Sequence, residues 1–182
     1  MKNKALKILM VSIFSTSVSF STYSCSNLPN SSTTNGDRAV GSKVDAKYVI
    51  DFFPQFAAGM KLTYLTKSKV GQVDMSQQLI IEVTEVNNNV AQLRVNSGTN
   101  SNIVPFDRSK PPILPDSGIT YEGLENITVG AGSYNNATKV SFSNTTSVFN
   151  GWLIKDVGIL KVVEQKKDNS LIITTELDEF KK

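Results

Sequence analysis

Apolar side chains recur at every second position from Leu79 to Val83 within Met75–Val86, and this pattern constrains the fold more than any other feature of the chain. The apolar set falls on one side of an extended strand and the polar set on the other, as Leu79, Ile81 and Val83 do against Glu82 and Thr84. Three asparagines follow at 87–89, and Val90–Val95 then supplies a second apolar run. Because the period is two and turn-forming residues end the run, the pattern predicts a β-hairpin.

Other segments have the same character. Met60–Val70 places Leu62 and Tyr64 on one face with lysines interleaved. Gly158–Glu164 and Leu171–Leu177 flank a polar turn and predict a second hairpin. Together these segments predict a mostly β, single-domain protein with about six to nine antiparallel strands, arranged as an open curved sheet or a small open barrel.

Two segments depart from the strand pattern. Asp45–Phe52 has helical spacing of its apolar residues and is compatible with one short N-terminal helix, which Pro54 would end early. Val104–Gly118 contains three prolines within five residues, at positions 111, 112 and 115. Proline lacks the backbone N–H that a helix interior or a central strand needs, so this segment is predicted to be a connection.

The chain contains no histidine and a single cysteine. These absences remove the commonest general base, the usual zinc ligands and every Ser-His-Asp or Cys-His pair. The sequence therefore predicts no catalytic residues, no metal site and no cofactor, and it leaves the ligand-binding residues unknown.

The N-terminus has the layout of a signal peptide. Met1–Lys7 carries three lysines, and Ile8–Phe20 is an apolar run that is shorter than the roughly 20 residues needed to span a bilayer. The alternative is a buried N-terminal helix of a cytosolic protein, which the serine and threonine content of the run disfavours. The pattern predicts export and a signal peptide over residues 1–24.

The single cysteine, Cys25, directly follows Ser24 at the end of that signal. This arrangement resembles a bacterial lipoprotein signal, although Thr22 and Tyr23 depart from its usual residues. The resemblance implies cleavage before Cys25 and lipid attachment to it, and the alternative is cleavage nearby with a free thiol. Residues 25–43 are rich in Ser, Asn, Thr and Gly and predict a flexible tether to a β-rich domain over 44–182.

Net charge excludes one class of partner. The chain has 19 basic and 16 acidic side chains, and three of the basic ones lie in the predicted signal peptide. Its removal leaves equal numbers of each sign, so the mature domain lacks the positive field that nucleic-acid binding requires. The expected partners are a membrane, reached through the lipid, and a hydrophobic ligand or another envelope protein.

One long motif suggests a family. Tyr121–Tyr134, followed by Ala137–Val140, resembles the signature of the exported DUF3108-like proteins, with Gly130 in place of their usual proline. Trp152 with Lys155–Lys161 is similar to the Trp and Val-Gly-Val-Val-Lys segments of that family. Phe53–Pro54 with Gly59 and Tyr64 is similar to its opening residues.

The resemblance implies a β-rich, often lipidated envelope protein with a curved sheet, and it brings no catalytic residues. It implies that Gly132 relieves a bend, that Trp152 fills the core and that Gly158 permits a turn. Gly130–Gly132 is interpreted as a strand bend, since a phosphate-binding loop would need a third glycine and a following helix.

Two functions of different kinds follow. The first is a non-enzymatic protein at the periplasmic or exterior side of a membrane that binds a ligand or partner through its sheet. Ser26 after the cysteine favours the outer membrane. The second is a hydrolase that uses Glu125 and another carboxylate, which would have to stand a defined distance apart. A purely structural envelope role is a third alternative.

Overall fold

A computed structural model describes residues 38–70, 73–109 and 118–182. These residues form one antiparallel ten-stranded sheet and one short helix, which confirms the predicted fold class. The elements are β1 (Lys43–Val44), α1 (Ala46–Ile50), β2 (Lys61–Val70), β3 (Val73–Asn87), β4 (Val90–Ser97), β5 (Asn100–Asp107), β6 (Ile119–Val129), β7 (Gly132–Ser143), β8 (Ser147–Ile154), β9 (Gly158–Lys166) and β10 (Leu171–Lys181). Their order in the sheet is β1-β6-β7-β8-β9-β10-β2-β3-β4-β5.

Both predicted hairpins are present. β3 and β4 pair through Asn87 and Val90, and Asn88 between them adopts a positive φ of 54°. The β9–β10 turn contains Asn169 with a φ of 58°. Asparagine tolerates this left-handed conformation better than most residues, and that tolerance explains the asparagine at this position in each turn.

The prediction for Val104–Gly118 is wrong at its start. Residues 104–107 belong to β5, and Pro105 lies opposite Gln92 of β4. β5 is the last strand of the sheet, so a proline can direct its missing N–H away from the ladder without breaking a bond. Residues 110–117, which hold the other prolines, lie outside the described residues.

Two apolar clusters form the core. The main cluster joins the buried residues of β2, β3 and β4, including Tyr64, Leu79 and Leu93, to Phe106 of β5 and Leu177 of β10. In the second cluster, Phe52 and part of α1 pack against Ile119, Tyr121 and Val140. The helix and the segment after it therefore lie against one face of the sheet, here called the inner face.

The sheet curls until its β6–β7 turn touches β10, although three strands separate β6 from β10. The backbone N–H of Ala131 donates to the carbonyl of Leu177 at 3.0 Å. The register of β10 against β2 shifts between Leu177 and Glu179, so a bulge meets the turn. Gly130 fits here because a Cβ at this position would lie 2.9 Å from Cα of Asp178. The expected strand bend at Gly130–Gly132 is thus a hairpin turn docked on a bulge.

We expect Gly130→Ala to lower the free energy of unfolding by about 1–3 kcal/mol, since the added methyl forces the turn away from β10. Urea unfolding at equilibrium measures this value. Gly151→Ala in β8 is the matched control, because its Cβ would make only an ordinary 3.4 Å contact with Val140. Equal stability of the two variants would contradict the proposed close approach.

Candidate functional site

One row of side chains crosses six strands on the inner face. The register places each member directly opposite the next in the adjacent strand, in the order Phe142, Phe149, Glu164, Ile173, Ser68 and Met75. Residues that oppose one another in a sheet share a face, so these side chains form a continuous strip, here called the inner row. Phe142 also packs against the second core cluster, which fixes the strip on the inner face.

The inner row is buried on β8, β9 and β10 and exposed on β3. Phe149 and Ile173 are buried, and the Phe149 ring stacks on Phe142 with 4.4 Å between centroids. Met75 on β3 is 54% exposed, and Val73, two residues along the same strand, is 60% exposed. The row therefore presents an apolar surface to solvent at its β3 end.

A carboxylate lies in the middle of this apolar strip. Glu164 is buried, and its Oε1 accepts a 2.8 Å hydrogen bond from the hydroxyl of Ser147. The ammonium of Lys166 lies 3.4 Å from the same oxygen. Since a buried carboxylate without partners is strongly destabilising, these two contacts explain how the row tolerates Glu164.

The adjacent row of the inner face is more polar. Thr175 pairs with Thr66, and their hydroxyls lie 3.0 Å apart. Gln77 on β3 follows, and its amide donates to the Ser97 hydroxyl. The inner row and this pair of threonines are together called the inner trough. Within it Met75 is exposed and Ser68 is half-buried, whereas Phe149, Glu164, Ile173 and Thr175 are buried.

Glu125, the carboxylate proposed for hydrolysis, is held by two donors. Lys139 Nζ donates to Oε1 at 2.8 Å, and the indole N–H of Trp152 donates to Oε2 at 2.8 Å. The hydrogen bond from Lys139, and to a smaller extent the one from Trp152, lowers the pKa of Glu125 below its ordinary value. A general acid in a glycosidase needs the opposite shift.

Trp152 is half-buried rather than fully enclosed. It packs against the main core cluster, and Lys139 stands 5.3 Å from its ring centroid. The register continues from Lys139 through Trp152 to Lys161 and Glu176. Glu176 contacts both Lys161 and Lys67, at 3.5 and 3.6 Å. The charges along this line compensate one another, because Lys139 contacts Glu125 while Lys161 and Lys67 contact Glu176.

Several predictions concern residues that the structure does not describe. The signal peptide over 1–24, Cys25 and most of the tether over 25–43 lie outside the described residues. Within the described ranges, no group of three or more Cys, Asp or Glu side chains is placed to hold a metal ion. No helix in those ranges is long and apolar enough to cross a membrane.

The comparison with solved structures finds chains of similar overall shape. An exported protein of Bacteroides fragilis described as having a YmcC-like fold aligns with a TM-score of 0.49 and 12% identity, over 72% of this chain and 99% of that one. A protein of Parabacteroides distasonis described as a lipoprotein aligns at 0.45 and 14%, over 71% and 98%. MucB, solved in complex with periplasmic MucA, aligns at 0.44 and 10%, over 74% of this chain and 52% of that one.

Sequence comparisons add no relative. No protein-family model matches the chain, and no curated protein matches it. The DUF3108-like resemblance therefore stays a prediction that depends on the motif residues alone.

Replacing Glu125 with glutamine tests the role of its two donors. Because its pKa is lowered in the folded state, ionised Glu125 stabilises the fold above its ordinary pKa of 4.5, and the contribution disappears as the pH falls through the lowered value. The side chain is 44% exposed, so we expect Glu125→Gln to lose less than about 1 kcal/mol at pH 7.

Urea unfolding at pH 7 and at pH 3 measures this difference. Glu179→Gln is the control, because Glu179 is equally exposed and also contacts a lysine. We expect the wild-type chain to lose more stability on acidification than Glu125→Gln does. An identical acid response of these two proteins would contradict the assigned role of Lys139 and Trp152.

Proposed function

We propose that this chain is an exported, lipid-anchored protein of the cell envelope that binds an apolar ligand or a partner segment in the inner trough and performs no catalysis. Cys25 is the proposed lipid attachment site, and residues 25–43 are the proposed tether. Ser26 after the cysteine favours the outer membrane in this proposal.

The inner row is the observation that carries the proposal. It joins Phe149, Ile173 and Met75 across the sheet, and its apolar surface opens to solvent at β3. Ligand sites are concave and mostly apolar, with a few polar groups that fix orientation. Glu164 and the threonine pair supply such groups here.

The geometry of the carboxylates supports a binding role over hydrolysis. Glu125 accepts hydrogen bonds from Lys139 and Trp152, and these bonds lower its pKa. Glu164 is buried with Ser147 and Lys166 as partners. The general acid of a glycosidase needs a raised pKa, whereas the pKa of Glu125 is lowered.

The position of β1 supports the tether. Lys43, the last residue of the predicted tether, pairs with Thr120 at one edge of the sheet, and Val44 pairs with Ile119. The tether therefore joins the domain at the edge opposite β5 in the strand order. An anchor at that edge would hold the domain near a membrane while β2 and β3 stay several strands away.

Filling the trough tests the proposal. Ser68 is half-buried on the inner row between Ile173 and Met75, so Ser68→Phe would occupy the trough. Lys69→Phe adds the same ring to the next residue of β2, which is exposed and directed to the opposite face, and it is the matched control. Native mass spectrometry of the full chain, purified gently from an exporting host, measures the bound fraction.

We expect the wild-type chain and Lys69→Phe to carry an extra mass that denaturation releases. We expect the ligand occupancy of Ser68→Phe to fall at least about tenfold, which corresponds to a loss of about 1.4 kcal/mol in binding free energy. Equal occupancy in the two variants would place the ligand elsewhere. A wild-type chain without bound mass would contradict ligand carriage and favour a purely structural role.

A further inference from the structure

β3 has a free backbone edge where it extends beyond the end of β4. Every residue of β3 from Val73 to Glu82 pairs with β2 without a register shift, but pairing with β4 begins only at Leu79. Among the described residues, no strand pairs with the other side of Val73–Gln78, and all of its side chains are exposed. Unpaired N–H and C=O groups along such an edge are a template for another strand.

The other edges of the sheet are obstructed. β5 contains Pro105, which removes one donor from its outer edge. β6 pairs with β1 at Thr120 and Ile119, and its register against β7 shifts twice, after Tyr121 and after Glu125. Prolines and bulges are the means by which natural sheets block edge pairing. Val73–Gln78 contains no proline, no glycine, no lysine and no bulge.

Side chains along this edge specify what would fit. Val73 and Met75 share one face and are 60% and 54% exposed. Met75 belongs to the inner row, so this face borders the inner trough. Asp74 points to the opposite face, where Lys69 of β2 stands directly across from it, and Ser76 and Gln78 on the same face of β3 carry no charge.

We propose that Val73–Gln78 accepts an extended segment of a partner protein as an added strand, with apolar residues at alternate positions and a basic residue between them. The backbone of the partner pairs with the free edge of β3. Its apolar side chains lie beside Val73 and Met75, and its basic side chain lies beside Asp74. Backbone bonds of this kind give affinity, while alternate side chains give specificity.

Neighbouring strands set the length of the added segment. The β4–β5 turn at Gly98 stands where the free edge ends, and Gln77 is bound to Ser97 there. At about 3.3 Å per residue, the free edge is about 20 Å long. A segment of about six residues would therefore continue the line of β4 without displacing it.

Two synthetic hexapeptides test the proposal with the full-length chain in detergent. One is Val-Thr-Val-Lys-Val-Thr, and the other has glutamate in place of lysine. We expect the lysine peptide to bind about threefold to tenfold more tightly in fluorescence anisotropy, because cross-strand pairs of opposite charge are favourable and like charges are not. Hydrogen exchange should show slower exchange of amides within 73–78 when that peptide is present.

Asp74→Lys should invert the preference, so that the glutamate peptide binds more tightly. Asp168→Lys is the control, because Asp168 is an exposed carboxylate on the β9–β10 turn, and this variant should keep the wild-type preference. Equal affinity of both peptides for the wild-type chain, an unchanged preference in Asp74→Lys, or unprotected amides in 73–78 would each overturn the proposal.

The proposal for the β3 edge and the proposal for the inner trough can be tested independently. Peptide preference depends on Asp74, whereas ligand retention depends on Ser68, and the two side chains lie on opposite faces of the sheet. A Ser68→Phe chain that loses its ligand but keeps the lysine-peptide preference would support both assignments.

Discussion

The contact of the β6–β7 turn with β10 is the constraint on which the rest of the structure depends. It brings together strands that are separated by three others in the sheet, through the Ala131–Leu177 hydrogen bond and the close approach of Gly130 to Asp178. A flat sheet of ten strands could not enclose a core between its own strands and one five-residue helix. Because the sheet curls, α1 and the segment after it suffice to cover part of the inner face.

The same curl creates the inner trough. Its floor combines apolar side chains with Glu164, which Ser147 and Lys166 stabilise. The main cluster fills the inner face on the β4 and β5 side. Among the described residues, Phe149 and Ile173 belong to neither cluster. The proposed binding surface therefore lies where the core ends, and the carboxylate of Glu164 is held there by its two partners.

Strand lengths determine a second surface. β3 has 15 residues and β4 has 8. The first residues of β3 therefore have a backbone edge that β4 does not cover. The trough and this edge adjoin at Met75 on β3, seven places along the strand order from β1, where the proposed tether enters. Lipid anchoring and partner binding would therefore use opposite ends of the strand order.

The sequence by itself predicted the mostly β class and both hairpins, because alternation and turn propensities are local properties. It was compatible with the short helix before Pro54, and it predicted six to nine strands where the described residues form ten. It missed β5, whose polar residues and Pro105 are acceptable only at an edge, and strand order decides which strand is at the edge. The motif at Gly130 was visible, but its docking on β10 depends on the curl of the whole sheet. The inner row and the free edge of β3 were likewise decided by tertiary structure, since register between distant strands places Phe149, Glu164 and Met75 side by side.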